Sequence, residues 1–298
     1  MAELQDNFAK LYGNNVYMIA QQTQSKLRSC VTVEQLKGEK RFFDRVKPTT
    51  AVRADSRYAD TPLIPTEFDR RAVHGQEYVW ADMIDWQDDL NLFIDPTSSI
   101  VKAGASALGR IIDDVIIHNA LEGVAYEGKE GLTTVNFPSA QQIAVSWGSS
   151  DTHVGLNVAK LIEVRSKFGR ADIDLDDPEN TIYMAVSQNQ IDDLLNSADI
   201  KSRDYDLIRA IGEGKSDTFL GIHFVRTGRL TLTGGTVRTC AAWCKSGVVF
   251  CCPQEISMRV ETRADKMGNW QAMAKMKCGA TRIEDAKVIQ VFCDEYKG

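Results

Sequence analysis

The sequence predicts an α+β fold, in which one long helix and a C-terminal set of strands are joined by a mixed segment. Apolar or small residues recur with the 3.6-residue period between Pro96 and Glu122, which indicates a helix. Apolar and polar residues alternate in EISMRVETR and WQAMAKMKCG near the C-terminus, which indicates strands. The segment between them contains both patterns. These three observations together predict the fold class.

The composition indicates a chain that folds without disulfide bonds. It has 298 residues, 43% of them hydrophobic, which is enough for two ordinary domains or one large one. The seven cysteines are an odd number, and we expect reduced, mostly buried thiols in a cytosolic setting. No apolar run approaches the ~20 residues of a membrane span, and the first residues lack the order of a signal peptide. The net charge of -6 argues against a dedicated duplex-DNA binder but not against a protein that encloses nucleic acid.

The first 80 residues are predicted to form an arm and then an extended loop. Residues 1–35 are polar, rich in glutamine and asparagine, and only weakly helical in pattern. Within residues 36–80, the segment 37–71 carries nine basic and six acidic residues and few large aliphatic ones. Its β-branched and turn-forming residues predict an extended hairpin that stands off the body, pairs on itself and needs a partner for its flanks. The alternative interpretation is a disordered surface loop.

An acidic segment follows the basic hairpin. Trp80 and Trp86 alternate there with aspartates, before the long helix begins. A basic hairpin and an acidic segment on one chain could associate head to tail, with the hairpin of one copy on the body of the next. The alternative is that both charged faces are merely solvated. Under the first interpretation, the candidate subunit-interface residues are Arg41, Arg45, Arg53, Arg57, Arg70, Arg71, Asp82, Asp85, Asp88 and Asp89.

The long helix is predicted to span residues 96–122, with recognisable signals at both ends. Asp95 can cap the first free N–H groups, a proline occupies the first helical position, and Gly123 can take the left-handed conformation after the helix. The helix would be roughly 40 Å long. Gly104 and Gly109 each weaken it by up to about 1 kcal/mol relative to alanine. Packing along its length must therefore stabilise it.

The second half of the chain is predicted to contain two further regions. Residues 151–235 form a mixed α/β segment, with helices in NVAKLIEVRSKFG and NQIDDLLNS and strands in TIYMAVS and TFLGIHFVRT. Residues 236–298 carry the strands EISMRVETR, WQAMAKMKCG and AKVIQVFC. Turns at ADKMGN and TRIED would join these three strands into an antiparallel meander with one exposed face.

Two sequence patterns suggest small-ligand sites, but each lacks residues that its motif requires. Gly214 begins the sequence GKS, the ending of a phosphate-binding loop, but Arg209 stands where the motif needs its first glycine. The stretch ADIDLDDPEN sets three aspartates at calcium-loop spacing. However, Asp177 and Tyr183 occupy the positions of the required glycine and glutamate. A solvated acidic loop is therefore the favoured interpretation.

The cysteines and histidines predict no metal site. Four thiols between residues 240 and 252 are close enough in sequence to suggest zinc, but paired CxxC knuckles are absent and the segment is as apolar as a strand core. The four histidines are scattered over different elements, and His118 on the long helix is most readily structural. No nucleophile elbow is present either. The sequence thus favours a structural or binding role, with no catalytic residue, cofactor or metal assigned.

The order of these parts resembles that of tailed-bacteriophage major capsid proteins. A polar arm and a charged loop precede a long helix begun by WADMIDWQDDLNLFIDPTSSIV, and a segment containing DDPENTIYMAVSQNQIDDLL follows it. The ending is the most specific part. AAWCKSGVVFCC, followed by EISMRVETRADKMGNWQAMAKMKCGATRIEDAKVIQV, is similar to the C-terminal signature of one branch of this family.

This resemblance implies the phage major capsid fold, divided into five parts. Residues 1–35 would be the N-terminal arm, and residues 36–80 the extended loop that overlaps a neighbouring subunit. Residues 81–150 would belong to the peripheral domain, whose spine helix is 96–122. Residues 151–235 would form the axial domain, and residues 236–298 would return to the peripheral domain as the antiparallel meander.

The resemblance also implies a function: a structural protein, not an enzyme, that assembles as hexamers and pentamers into the icosahedral head around phage double-stranded DNA. The implied partners are other copies of the chain, a separately encoded scaffolding protein, a portal, and in some cases a decoration protein. DNA would be contacted non-specifically and no membrane would be involved. The protein would reside in the virion capsid, and in the host cytoplasm during assembly. Two alternatives stay open: an encapsulin-like nanocompartment shell of the same fold, and a cytosolic enzyme with an unrecognised site.

Overall fold

A computed structural model describes most of the chain. The described residues are 22–53, 61, 63–84, 96–149, 151, 153–196, 218–252 and 257–295. The predictions for the phosphate-loop ending at Gly214, for the helix cap at Asp95 and for most of the N-terminal arm lie outside these residues.

Three α-helices occur in the described part of the chain. Their bounds are α1 Pro96–Val115, α2 Val158–Arg170 and α3 Gln188–Asn196. The two shorter helices confirm the prediction, and α2 begins because the Asn157 side chain accepts a hydrogen bond of 2.8 Å from the backbone N–H of Lys160. No helix among the described residues has the length and hydropathy needed to span a membrane.

The long helix continues beyond α1 as a π-helical segment. This segment covers Ile116–Leu121, and the backbone N–H of Glu122 donates to the carbonyl of Ile117 at 2.9 Å. The predicted helix over 96–122 is thus confirmed, but its predicted ending is wrong, because Gly123 does not have a left-handed backbone. Glycine is needed there for space instead: a Cβ on Gly123 would lie 2.3 Å from the carbonyl oxygen of His118.

Sixteen strands are present among the described residues. They are β1 Thr32–Glu34, β2 Lys40–Val46, β3 Phe68–His74, β4 Gln76–Ile84, β5 Ala125–Glu127, β6 Thr133–Val135, β7 Gln142–Ile143, β8 Ile182–Val186, β9 Thr218–Phe219, β10 Ile222–Arg226, β11 Leu232–Thr233, β12 Val237–Cys244, β13 Val248–Cys251, β14 Ser257–Arg263, β15 Asn269–Arg282 and β16 Val288–Asp294. Together with the helices, they confirm the predicted α+β class.

The chain divides into two compact units. Unit 1 comprises Met1–Ser25, Glu77–Ile111 and Gln254–Met276, and unit 2 comprises Lys26–Gln76, Ile112–Pro253 and Lys277–Gly298. The division into five parts that the resemblance implies stays a prediction.

Unit 1 contains a β-hairpin and the first part of the long helix. Strand β14 pairs antiparallel with β15, from Ser257 opposite Lys275 to Arg263 opposite Asn269. The pairing confirms the hairpin predicted from the alternating pattern. The connection turns through Met267, whose φ is 54°.

Both glycines of α1 make close contacts within unit 1. A Cβ on Gly104 would lie 2.5 Å from the ring of Trp80, so the glycine lets the indole pack directly on the helix backbone. A Cβ on Gly109 would lie 3.4 Å from the backbone of residues 23–25. These contacts confirm that packing compensates for the low helix propensity of glycine.

Unit 2 contains most of the β structure. A seven-stranded sheet has the order β7-β16-β12-β8-β10-β9, with β11 paired to β12, and a four-stranded sheet has the order β2-β3-β5-β6. Strand β1 pairs parallel with β13, and β13 pairs antiparallel with β15. Strand β12 is fully buried from Thr239 to Cys244, so the apolar segment around the cysteines lies in the core, as predicted.

The predicted C-terminal meander is wrong in its third strand. In the described structure, β16 pairs antiparallel with β12 and parallel with β7, within the seven-stranded sheet. Strand β15 pairs instead with β13, β14 and β4. The residues Val288–Phe292 are apolar or buried on both faces, and a strand buried on both faces needs a central place in a sheet rather than an edge.

Candidate functional site

The hairpin formed by β2 and β3 has two chemically different faces. Its register runs from Lys40 opposite His74 to Val46 opposite Phe68, and directly opposed residues share a face. We define the inner face as Arg41, Phe43 and Arg45 with Val73, Arg71 and Asp69. We define the outer face as Phe42, Asp44 and Val46 with Ala72, Arg70 and Phe68. The pairing confirms the hairpin predicted for this segment.

The inner face packs on apolar residues of unit 2. Val73 joins a buried cluster with Leu36, Val249 and Cys251, against which Phe43 and Ile283 also pack. Gly279 on β15 permits this approach, because a Cβ there would lie 2.2 Å from the backbone carbonyl oxygen of His74. The root of the hairpin therefore packs directly on the sheet, so the prediction that the hairpin stands off the body is wrong there, because Phe43 and Val73 bury apolar surface.

An ionic cluster adds to this apolar contact. Arg71 is 1% exposed and donates from Nη2 to Asp285 at 2.6 Å, and its Nε lies 2.9 Å from Glu127. Arg282 is fully buried and donates from Nε to Asp285 at 2.6 Å and from Nη2 to the carbonyl of Val135 at 2.9 Å. The two buried guanidinium groups are therefore joined through one carboxylate.

Arg45 extends this cluster along the hairpin. It donates to the carbonyl of Ile283 at 2.7 Å and to Glu127 at 2.7 Å, and it also pairs with Asp69. Three arginines thus face three carboxylates, so the charges balance inside the folded chain. We call these six residues the anchor cluster: Arg45, Asp69, Arg71, Glu127, Arg282 and Asp285.

Burial and ion pairing shift the pKa values of the anchor cluster in opposite directions. Burial lowers the pKa of the Arg282 guanidinium, because desolvation disfavours the charged form, although Asp285 partly counteracts this. Burial by itself would raise the pKa of Asp69, but the backbone N–H of Arg70 and the Arg45 guanidinium lower it. A buried charge that loses its partner is strongly destabilising, so the cluster works only when all its members are present.

The outer face is exposed at the end of the hairpin away from its root, whereas Ala72, nearer the root, is fully buried. Val46 is 61% and Phe68 is 71% exposed, and both side chains lie at the end of the hairpin away from its root. Between them and the root, Arg70 pairs with Asp44 at 2.5 Å. Val52, Leu63 and Ile64 in the following connection are also exposed. Val46 and Phe68 lie directly opposite each other, so this end of the hairpin exposes an apolar pair.

The predicted interface residues occupy three kinds of position. Four arginines have partners within the chain: Arg41 with Glu34 at 2.9 Å, Arg70 with Asp44, and Arg45 and Arg71 in the anchor cluster. Arg53 and Asp82 are exposed. Arg57, Asp85, Asp88 and Asp89 lie outside the described residues. Their role between subunits stays a prediction.

Sequence reasoning singled out only Arg45 and Arg71 of the anchor cluster and missed its other four residues. Glu127, Arg282 and Asp285 come from segments far from the hairpin in sequence, and single charged residues at the ends of strands or in turns carry no recognisable pattern. The one available signal was local: Asp69 and Arg71 lie on the same side of a strand that otherwise alternates. The pairing of β3 with β5 brings in Glu127, and the segment after β15 brings in Asp285.

The other motifs are structural where they are described. In the acidic loop, the Asp174 carboxylate accepts from the backbone N–H of Asp176 at 3.1 Å, and Asp177 accepts from Glu179 at 3.0 Å. Six of the seven cysteines are buried and Cys252 is half-buried, which confirms the prediction of mostly buried thiols. Within the described ranges, no group of three or more potential ligand residues is placed to hold a metal ion.

Comparison with known proteins identifies the family. The sequence profile of the phage capsid protein family matches residues 4–295. The chain belongs to this phage capsid protein family. No curated protein matches the capsid protein significantly in sequence.

Solved phage capsids share the fold of this capsid protein along nearly its whole length. The capsid of cyanophage P-SCSP1u is 15% identical, with a TM-score of 0.71 over 97% of this chain and 93% of that one. Cyanophage Pam1 is 12% identical, with a TM-score of 0.70 and full coverage of both chains. The capsid of Ralstonia phage GP4 is 10% identical, with a TM-score of 0.70 over 100% and 98%.

These findings define the coarse role of the protein. It is a structural shell protein of the phage virion capsid that self-assembles, and its family implies a non-enzymatic role. The alternative of an encapsulin-like nanocompartment receives no support from the family match.

Proposed function

We propose that this capsid protein assembles as hexamers and pentamers into the icosahedral head that encloses the phage double-stranded DNA. One polypeptide that occupies non-equivalent positions needs a firm body and a contact element at its surface. The observation that supports this assembly is the β2–β3 hairpin, whose inner face is held by the anchor cluster and whose outer face exposes Val46 and Phe68.

The hairpin is proposed to lie on a neighbouring subunit. Its apolar outer face would be covered there, and burial of apolar area stabilises such contacts by roughly 25 cal/mol per Å². Each contact is small, so the affinity of the shell comes from many repeated contacts rather than from one tight interface. Arg53 and Arg57 are proposed to contact the acidic segment of the neighbour at Asp82, Asp85, Asp88 and Asp89.

Further partners belong to the same proposal. A separately encoded scaffolding protein and a portal would take part in assembly in the host cytoplasm, and a decoration protein could bind the finished shell. The net charge of -6 would keep packaged DNA from adhering tightly to the wall, so that DNA contacts stay non-specific. Catalysis forms no part of this function.

Electron microscopy of the purified protein tests the proposal, with the chain expressed alone and together with its scaffolding protein. We expect closed shells, tubes, or rings of five and six subunits. A monodisperse monomer or dimer under every condition would contradict the assembly function.

Substitutions on the outer face test the role of the hairpin. Phe68→Asp and Val46→Asp should abolish shells, because a charge cannot be buried in an apolar contact, while circular dichroism and the melting temperature stay close to those of the parent. Phe68→Tyr and Val46→Thr are matched controls at the same positions and should still assemble. Normal shells from Phe68→Asp would show that the hairpin does not make the contact.

A further inference from the structure

Two cysteines face each other across neighbouring strands of unit 2. Strands β13 and β15 pair antiparallel, with Phe250 opposite Ala280 and Cys251 opposite Gly279. Cys252 directly follows the last residue of β13, and continuing the same register by one residue places it opposite Cys278 on β15. Both belong to the face of Phe250 and Ala280, because side chains alternate along a strand.

The hydrogen bonding of Cys252 determines the type of this pair. Its backbone N–H donates to the carbonyl of Glu34 on β1 at 3.0 Å, on the opposite side of β13 from β15. Since the N–H and C=O of one residue in an extended strand point to the same side, Cys252 and Cys278 form a non-hydrogen-bonded pair. Such pairs have Cα atoms about 4.5 Å apart, within the range of roughly 4.4 to 6.8 Å that a disulfide spans.

The two thiols differ in access to solvent. Cys278 is fully buried and Cys252 is half-buried. Burial, with a smaller contribution from the nearby Cys252, raises the pKa of Cys278 to about 12, which is consistent with close thiols. Cys252 is therefore the more accessible of the two residues to a small reagent.

We propose that Cys252 and Cys278 are a redox modification site, at which a small-molecule disulfide such as oxidised glutathione converts the two thiols into a cross-strand disulfide bond. The Cys252 thiolate attacks one sulfur of the reagent, forms a mixed disulfide and releases the first glutathione thiolate. Cys278 then loses its proton, attacks the Cys252 sulfur and releases the second. Two protein thiols are oxidised and one reagent disulfide is reduced to two thiols.

The order of steps has a measurable consequence. The second attack needs the Cys278 thiolate, which is scarce at neutral pH because burial raises its pKa to about 12. The mixed disulfide on Cys252 should therefore accumulate first, and its conversion should accelerate by about tenfold per pH unit.

The experiment treats the purified full-length protein with oxidised glutathione under native conditions, blocks the remaining thiols and maps the digest by mass spectrometry. We expect a peptide pair joined through Cys252 and Cys278 after a transient glutathione adduct on Cys252. The joined protein should melt about 5 °C higher than the reduced form, and a reducing agent should reverse the change. A stable adduct on Cys252, a bond between two chains, or no reaction at Cys252 would overturn the proposal.

Single substitutions distinguish the roles of Cys252 and Cys278 in the reaction. Cys278→Ser should stop at the adduct on Cys252, and Cys252→Ser should give neither product. Cys240 and Cys293 provide the matched control, because their thiols also contact each other but both are fully buried. Cys240→Ser should therefore leave the reaction unchanged. If a variant fails to fold, the digest of the parent protein still decides the question.

Discussion

Glu295 shows at the scale of one residue how the end of β16 is held. Its carboxylate accepts from Arg238 Nε and Nη2 at 2.9 Å each, from Gln190 at 2.8 Å and from Ser187 at 3.1 Å. The hydrogen bonds from Arg238 are the main cause of a pKa lowered from 4.5 to about 2, which burial opposes. This carboxylate therefore stabilises the fold only while it is ionised.

Glu295 should make the stability of the fold depend on pH in the acid range. Because the pKa of Glu295 is lower in the folded than in the unfolded chain, its contribution is complete above pH 4.5 and is lost as the pH falls towards 2. Glu295→Gln should lower the free energy of unfolding by about 2 kcal/mol at pH 7 and flatten its decline in that window. Urea titrations at several pH values measure this. Glu261→Gln, on an exposed strand, is the control, and an equal effect from both variants would contradict the explanation.

Gly104 and Gly109 form a matched pair at the scale of the element, since both lie in α1 but differ in surroundings. Gly104→Ala would place its Cβ 2.5 Å from the Trp80 ring and should lower the free energy of unfolding by about 2 kcal/mol. Gly109→Ala meets neighbouring backbone at 3.4 Å, so improved helix propensity should offset the contact and leave stability unchanged or up to about 1 kcal/mol higher. Thermal unfolding compares them, and equal effects would reject the proposed role of Trp80.

Arg70 and Arg71 are adjacent on β3, and substituting each of them tests how much the anchor cluster contributes to stability. Arg71→Met removes the buried guanidinium that joins Glu127 and Asp285, which then keep only Arg45 and Arg282, and should cost about 3 kcal/mol. Arg70→Met removes only the exposed pair with Asp44 and should change stability little. Chemical denaturation of both variants measures the difference. A larger loss for Arg70 would mean that the outer face, not the inner one, holds the hairpin.

At the scale of the whole molecule, the proposed contact between basic and acidic residues of neighbouring subunits can be tested by charge reversal. Reversing two arginines between β2 and β3 in Arg53→Glu/Arg57→Glu should block shell assembly while leaving the isolated chain folded, because neither residue is a member of the anchor cluster. Combining it with Asp85→Lys/Asp88→Lys should restore shells if the charges meet across subunits. Electron microscopy reads out both. Normal shells from the first variant would show that assembly does not need an ionic contact between subunits. The exposed apolar residues of the outer face would then remain as the proposed contact.

Much of the local structure could be predicted because it depends on local chemistry. The period of α1, the Asn157 cap of α2 and the alternation in β14 and β15 are all written in neighbouring residues. The β2–β3 hairpin was predicted from its composition and turn formers. The end of the long helix was predicted wrongly, since a π-helical segment and the crowding of Gly123 against His118 depend on packing that a glycine signal does not contain.

Strand partners and the anchor cluster could not be predicted in the same way. Alternation indicates that AKVIQVFC is a strand but not which strand pairs with it, so β16 was assigned to a meander although it lies between β12 and β7. The same limitation applies to charge. The arginines of the hairpin looked available for a second copy, yet Arg45 and Arg71 are paired with residues that are distant in sequence.

The sequence by itself determined the α+β class, the helices, most strands and, through the order of its parts, the capsid family. These follow from periodicity and composition, which act over a few residues or over the whole chain. Only the tertiary structure decided which charged residues form ion pairs within the chain, which residues of the hairpin stay exposed and which cysteines lie opposite each other. Those depend on contacts between distant segments, where partner and distance set the energy and neither is encoded in local pattern.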